Sequence, residues 1–126
     1  MKISIPVSVG ELADKITILE IKSKKIKNKD SLYEVKKELT LLMNIFTKKK
    51  ININKIKSEF DKLRKINKKL WIIEDKKRSY EKIKKFDDKF IELARNVYKL
   101  NDQRATAKLN INKITKSDII EIKSYN

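Results

Sequence analysis

Ser8-Val-Gly-Glu-Leu-Ala-Asp-Lys-Ile-Thr-Ile-Leu-Glu-Ile-Lys22 is the stretch whose reading decides the fold. Ser8 with Glu11 three residues on is a capping-box pattern, in which the serine hydroxyl accepts a backbone N–H of the first helical turn. Beyond it Leu12, Ile16, Leu19 and Ile26 recur on one helical face, while Ile18 and Ile21 lie nearly opposite. The pattern predicts a helix from about Val9 to Lys27. A helix apolar on two sides sits at the centre of its domain or at a subunit interface. It is therefore expected to organise the chain, and it leaves room for a homodimer. Asp14 falls on the second apolar side, beside Ile18 and Ile21.

Working outward, Ile3, Ile5 and Val7 alternate with polar residues up to Pro6 and Ser8, the pattern of a short edge strand. Ser31-Leu-Tyr-Glu34 is a second capping box and starts helix two at Asp30 or Ser31. Leu32, Val35, Leu39, Leu42 and Phe46 then form its apolar stripe. Lys48-Lys49-Lys50 and Ile51-Asn-Ile-Asn54 read as the connection. Ile56, Phe60, Leu63 and Leu70 predict helix three from about Lys55 to Lys85. At ~1.5 Å per residue it would exceed ~40 Å, so it must break or project as half of a helical hairpin. Asp87 or Asp88 can cap helix four, which runs to about Ile114. The tail Asp118-Ile-Ile-Glu-Ile-Lys-Ser-Tyr125 reads as a strand beside the N-terminal one. The expected fold is mainly α, one domain over residues 1–126. It is a bundle of about four helices with a minor two-stranded β element from the N- and C-terminal segments.

Composition removes many functions. Glycine and proline occur once each, so neither Gly-rich phosphate loop can be written and folds with many tight turns are excluded. Cysteine and histidine are absent, which removes thiol catalysis, disulfides, zinc fingers, Ser-His-Asp triads and His-based metal sites. No cofactor and no metal are expected. No run reaches the ~18 apolar residues of a membrane span, and no signal-peptide pattern follows Met1. The expectation is a cytoplasmic chain with no membrane partner.

The formal net charge of +16 suggests polyanions. Yet 29 of the 33 basic residues are Lys, and Lys with 20 Ile and 10 Asn makes up nearly half the chain. All three have AT-rich codons, so codon bias alone would raise the charge. Residues 55–85 still hold 13 Lys/Arg against 5 Asp/Glu. With only Phe60, Trp71 and Tyr80 interleaved, this segment predicts weak, sequence-indifferent binding to nucleic acid.

Two stripes lose their apolar character. On helix four Phe90, Leu93, Val97, Leu100, Arg104, Ala107, Ile111 and Ile114 keep heptad-like spacing, and Arg104 is the one charged member. A guanidinium on a core stripe costs several kcal/mol unless carboxylates or a ligand meet it. On helix three the stripe Ile56, Phe60, Leu63, Asn67, Leu70 turns into Glu74, Arg78 and Glu81. If the two helices pack antiparallel, Glu74 and Glu81 can approach Arg104. Arg is also scarce, at positions 64, 78, 95 and 104 alone, and Arg and Lys differ where a planar fork must hold a carboxylate or phosphate. The expectation is a polar site between helices three and four for an anionic small molecule. Arg78, Asn101 and Arg104 would bind it, with Lys15 and Gly10 at the rim. Glu74 and Glu81 are the candidates for general acid or base if the site is catalytic. Gly10 lies in the first turn of helix one, where N–H groups attract anions, or else relieves the backbone at a tight entry to the helix.

The stretch Val7–Lys22 resembles the N-terminal signature of a small bacterial and phage family, the domain-of-unknown-function family 6165. So do Leu70-Trp-Ile-Ile-Glu-Asp75 with Arg78 and Glu81, and Phe90-Ile-Glu-Leu-Ala-Arg-Asn-Val-Tyr98 with Asn101-Asp102 and Arg104-Ala105. Glu121-Ile-Lys-Ser-Tyr125 is similar to the family's ending, with Ile122 in place of a second acid. The resemblance spans the whole chain and implies a family with no established activity. Its polar positions correspond here to Glu11, Asp14, Lys15, Trp71, Glu74, Asp75, Arg78, Glu81, Arg95, Asn101, Asp102, Arg104 and Lys123. The alternative reading of the charge and of the Arg/Glu cluster is a nucleic-acid-binding or protein-interaction scaffold whose charged cluster is structural; the resemblance adds a place accessory to surface-sugar synthesis. Helical chorismate mutases line a bundle with Arg, Lys and Glu in a similar way, but the early helix-one arginine is missing here. Glu11-Leu-Ala-Asp14 alone resembles the acidic pairs of helical pyrophosphohydrolases.

Overall fold

Ser8 starts the first helix as its spacing predicts, its hydroxyl accepting the Glu11 N–H at 3.0 Å. The reciprocal half of the capping box is not made, because Glu11 accepts from Lys108 Nζ at 2.6 Å instead. The structure is a computed structural model and describes residues 1–124. It contains α1 (Val9–Lys25), α2 (Lys29–Lys48), α3 (Ile53–Lys82) and α4 (Asp88–Thr115). α2 begins earlier than expected. Asn28, not Ser31, is its cap, and Ser31 donates its N–H to Asn28 Oδ1 at 2.9 Å. Asn52 and Asp87 cap α3 and α4 in the same manner.

α1 occupies the centre, as its two apolar sides require, and packs against each of the other three helices. Leu12, Ala13 and Ile16 meet Phe46 of α2, Ile56, Phe60 and Leu63 of α3, and Ala107 and Ile111 of α4 in one core. α3 does not break. It runs ~45 Å at ~1.5 Å per residue and lies antiparallel to α4. Glu59 faces Asn110 (3.3 Å) and the Tyr80 and Phe90 rings meet edge-on at 6.5 Å. No residue between Lys68 and Lys99 is buried, so the outer half of this hairpin projects beyond the core.

The expected two-stranded β element is absent among the described residues. Residues 2–7 and 118–124 carry no backbone ladder between them. The tail docks through side chains instead. Ser8 Oγ donates to Glu121 Oε1, and Ser117 Oγ accepts the Val9 N–H at 3.1 Å. Pro6 removes one ladder donor from the N-terminal segment. Tyr125, which the strand reading included, lies outside the described residues.

Gly10 lies at a close helix contact and not in a strained turn, since its φ is not positive. Its N–H donates to Asn112 Oδ1 at 2.6 Å, and an added Cβ would lie 2.4 Å from the Lys108 backbone carbonyl oxygen. The glycine lets α1 and α4 touch backbone to backbone. Gly10→Ala is expected to destabilise the protein by roughly 1–3 kcal/mol, the usual range for overpacking. Helix propensity alone would give a gain of up to ~1 kcal/mol, so the sign in a urea unfolding experiment distinguishes the two.

Candidate functional site

A carboxylate on an apolar stripe has to be paired or neutralised. Asp14 is 1% exposed, and α1 sets it where α3 and α4 come together. Arg104 of α4 meets it as a fork, Nε donating to Oδ1 at 2.8 Å and Nη2 to Oδ2. Asn67 of α3 donates one amide hydrogen to Asp14 Oδ1 at 2.9 Å and another to Thr17 Oγ1 at 2.7 Å. The Thr17 hydroxyl in turn donates to the Asp14 backbone carbonyl. Asn101 accepts from Arg104 Nη1 at 3.4 Å. The hydrogen bonds to Asp14 raise the Arg104 pKa above its ordinary value against the opposing effect of burial. Two helices thus hold one carboxylate of the third, and among the described residues no buried side-chain polar atom is left without a partner.

Two further polar contacts secure the ends of α1. At its C-terminal half Arg64 of α3 donates from Nε and Nη2 to the two oxygens of Glu20 at 3.0 and 3.3 Å. Its Nη1 reaches Asp61, and its guanidinium lies 4.2 Å over the Phe60 ring. Pairing with Glu20, ahead of the opposing effect of burial, raises the Arg64 pKa. At the N-terminus Asn112 and Ser8, both 1% exposed, hold the Glu121 carboxylate. Burial would raise the Glu121 pKa, but the Ser8 hydroxyl, a backbone N–H, Asn112 and the Lys108 charge together lower it. Among the described residues no group of three or more acidic side chains converges to hold a metal ion.

The expected grouping of Arg104 with Glu74 and Glu81 is not formed. Glu74 pairs with Lys77 at 3.5 Å, Glu81 with Lys84 at 3.7 Å, and Arg78, 76% exposed, with Asp75 at 3.8 Å. The α3–α4 register explains this. Glu59 opposite Asn110 and Tyr80 opposite Phe90 put Glu74 level with Arg95, while Arg104 is level with Lys65. Glu74 is thus about 13 Å too far along α3 at ~1.5 Å per residue. Lys15 is exposed. Only Arg104 and Asn101 of the expected set meet, and the partner is Asp14. Its signal was in the sequence, an acid on the second apolar side of helix one, as was Asn67 on the helix-three stripe.

On the face of the hairpin away from α1, α3 and α4 leave a groove. One section, about 480 Å³, is lined by Glu59, Lys62, Lys65, Ile66, Lys69, Asp102, Gln103, Thr106, Ala107 and Asn110. A second, about 350 Å³, continues from Lys69 and Gln103 to Ile72, Ile73, Asn96, Lys99 and Leu100. Both acids in it are engaged, Glu59 with Lys62 and Asn110, Asp102 with Lys123. Among the described residues Lys65, Lys69 and Lys99 have no ion-pair partner.

These features define a mainly helical protein with an arginine-pinned centre and an open, lysine-lined seam. The model of a family of unknown function, DUF6165, matches residues 1–126, and the chain belongs to that family. No curated protein and no solved structure is significantly similar to it.

Arg104→Met should leave Asp14 buried with only Asn67 to satisfy it. The expected loss is ~3–5 kcal/mol in chemical denaturation. A change below ~1 kcal/mol would mean that the fork is not structural. The lowered Glu121 pKa sets a second expectation. Docking of the tail gains from ionised Glu121 above its ordinary value of 4.5 and loses that gain as pH falls through the lower folded value. The Ile119 and Ile120 methyl resonances should therefore shift towards those of Glu121→Gln as acid is added. Resonances unmoved between neutral pH and the onset of acid unfolding would remove the latch.

Proposed function

We propose that this chain is a binding module for an anionic small molecule, seated in the α3–α4 groove rather than around Arg104. The observation that carries the reading is the set of unpaired cations: Lys65, Lys69 and Lys99 border an apolar floor of Ile66, Leu100 and Ala107. Gln103, Asn96, Asn110 and Thr106 add hydrogen-bonding groups along the same seam. An anion there is met by charges that need not leave another partner. Around Arg104 it would have to displace Asp14 and leave a buried carboxylate exposed to no cation. The groove runs from Glu59 to Ile73, about 21 Å at ~1.5 Å per residue, which favours an extended ligand with several acidic groups. No aromatic ring lines it, so it offers no stacking platform for nucleobases.

Inorganic tripolyphosphate is a suitable probe, followed by backbone amide shifts. The perturbed amides should cluster at Lys65, Lys69, Gln103 and Thr106. The triple variant Lys65→Gln/Lys69→Gln/Lys99→Gln should bind at least tenfold more weakly, about 1.4 kcal/mol, with unchanged stability. Shifts spread evenly over all exposed lysines would overturn the reading. A single-stranded oligonucleotide that binds more tightly than the probe, with a steep salt dependence, would instead favour nucleic-acid binding.

A further inference from the structure

We infer that residues 3–7 form a dimerisation strand, pairing antiparallel with the same residues of a second copy of this chain about a two-fold axis. The surface lies at the start of α1, away from the α3–α4 groove, and the inference stands independently of the reading given to that groove.

Four observations converge on this patch. Ile3 and Ile5 are 76% and 72% exposed, and across Ser8 the tail adds Ile119, Ile120 and Ile122, the last 88% exposed. The links from Ser8 to Glu121 and from Val9 to Ser117 set the base of the N-terminal segment beside the tail. Such a concentration of aliphatic side chains on a soluble surface marks an interaction site.

The backbone is also available. Among the described residues, residues 2–7 make no backbone hydrogen bond. Pro6 holds Ile5 in the β or polyproline region, and Ser8 is extended at φ −71°, ψ 159°. In a strand the N–H and C=O of residues 3, 5 and 7 point to one edge and those of 2, 4 and 6 to the other. Pro6 removes a donor from the second edge. The first keeps a full set, so pairing can proceed on one side only and closes at two copies instead of growing into a sheet. Identical antiparallel strands are self-complementary, as a two-fold interface requires.

Charge selects a second copy as the occupant. Residues 1–8 carry Lys2 as their one charged side chain, and residues 117–124 carry Asp118, Glu121 and Lys123, in a chain of net charge +16. Two copies can meet here without bringing lysines together. A second protruding apolar pair, Ile83 and Phe86 at the hairpin end, stands among four lysines and three acids, with Lys84 paired to Glu81 and Lys85 to Asp87, and it has no extended segment with an unused backbone edge.

The interface is small, residues 3–7 and the tail isoleucines on each side against the roughly 20–30 residues a side of a standard specific complex, so the dimer should depend on concentration. Light scattering on the wild type should move from 14.9 kDa towards twice that mass as concentration rises. Added salt should leave the dimer intact or strengthen it. Ile3→Lys/Ile5→Lys, at side chains exposed in the monomer, should remain monomeric with unchanged helical circular dichroism. Ile3→Val/Ile5→Val and the hairpin-end variant Ile83→Lys/Phe86→Lys should still dimerise. A wild type that stays monomeric throughout, one that forms larger assemblies, or a dimer that dissociates as salt is added would overturn the inference. So would a dimer that survives Ile3→Lys/Ile5→Lys or is lost in Ile83→Lys/Phe86→Lys.

Discussion

The arrangement of the four helices depends on one buried carboxylate. Asp14 cannot be solvated where α1 places it, so it must be met by charge and hydrogen bonds from the helices around it. Arg104 and Asn67 do this from α4 and α3. Each has a direction: a fork is satisfied only at one angle, and an amide only along its two N–H bonds. An apolar contact would permit α1 to slide or rotate by part of a turn. The polar junction does not. The net stabilisation of such a buried pair over a hydrophobic replacement is small, so its main effect is to select one crossing of α1 over the hairpin. Gly10 at one end, with α4 in backbone contact, and Arg64 at the other, gripping Glu20, fix the tilt that the centre leaves open.

The choice of basic residue follows from the same geometry. Most of the cationic surface is lysine, a flexible point charge that surrounding water satisfies. Arg64 and Arg104 stand at the two places where a planar fork grips a carboxylate of α1. Lysine there could supply charge but not two parallel hydrogen bonds, and α1 would lose its orientation. Arg78 makes only a loose surface pair with Asp75. Of the four arginines two therefore grip α1, while nothing in the contacts of Arg78 or of the exposed Arg95 explains the choice of arginine over lysine.

The sequence was legible where the physics is local and failed where it needed register. Ser8 is readable as a cap, and Asp87 as one of two neighbouring candidates, because a side-chain oxygen and an N–H three residues on decide them. Ser31 misled because Asn28 offers the same chemistry three residues earlier. Helix one was identified as central from its two apolar sides. The stripe shows that Arg104 needs a carboxylate or a ligand, but stripes give a face and not a level. Glu74 and Glu81 lie far along the hairpin from Arg104, whereas Asp14 comes from the crossing helix. Only a known crossing point could have chosen among the three acids. The terminal strands failed for another reason. Alternation detects a segment able to pair, and it cannot say whether its partner lies in the same chain.

The two faces of the α3–α4 seam differ in a way that bears on where a ligand could be held. On the side facing α1 the polar side chains of Asp14, Thr17, Asn67 and Arg104 are all engaged with each other. Any ligand there competes with an intramolecular partner already positioned, an exchange that gains little and loosens the fold. On the opposite side the acids Glu59 and Asp102 are neutralised by their own cations, which leaves the remaining lysines free of internal competition. An anion on that side would displace its own hydration and that of the lysines and order their flexible side chains, while the helices beneath need not move. A helical floor that need not rearrange lowers the cost of binding to the ordering of the side chains above it. The side of the seam that pins α1 is thereby kept rigid, and it is that rigidity which holds the open side in shape.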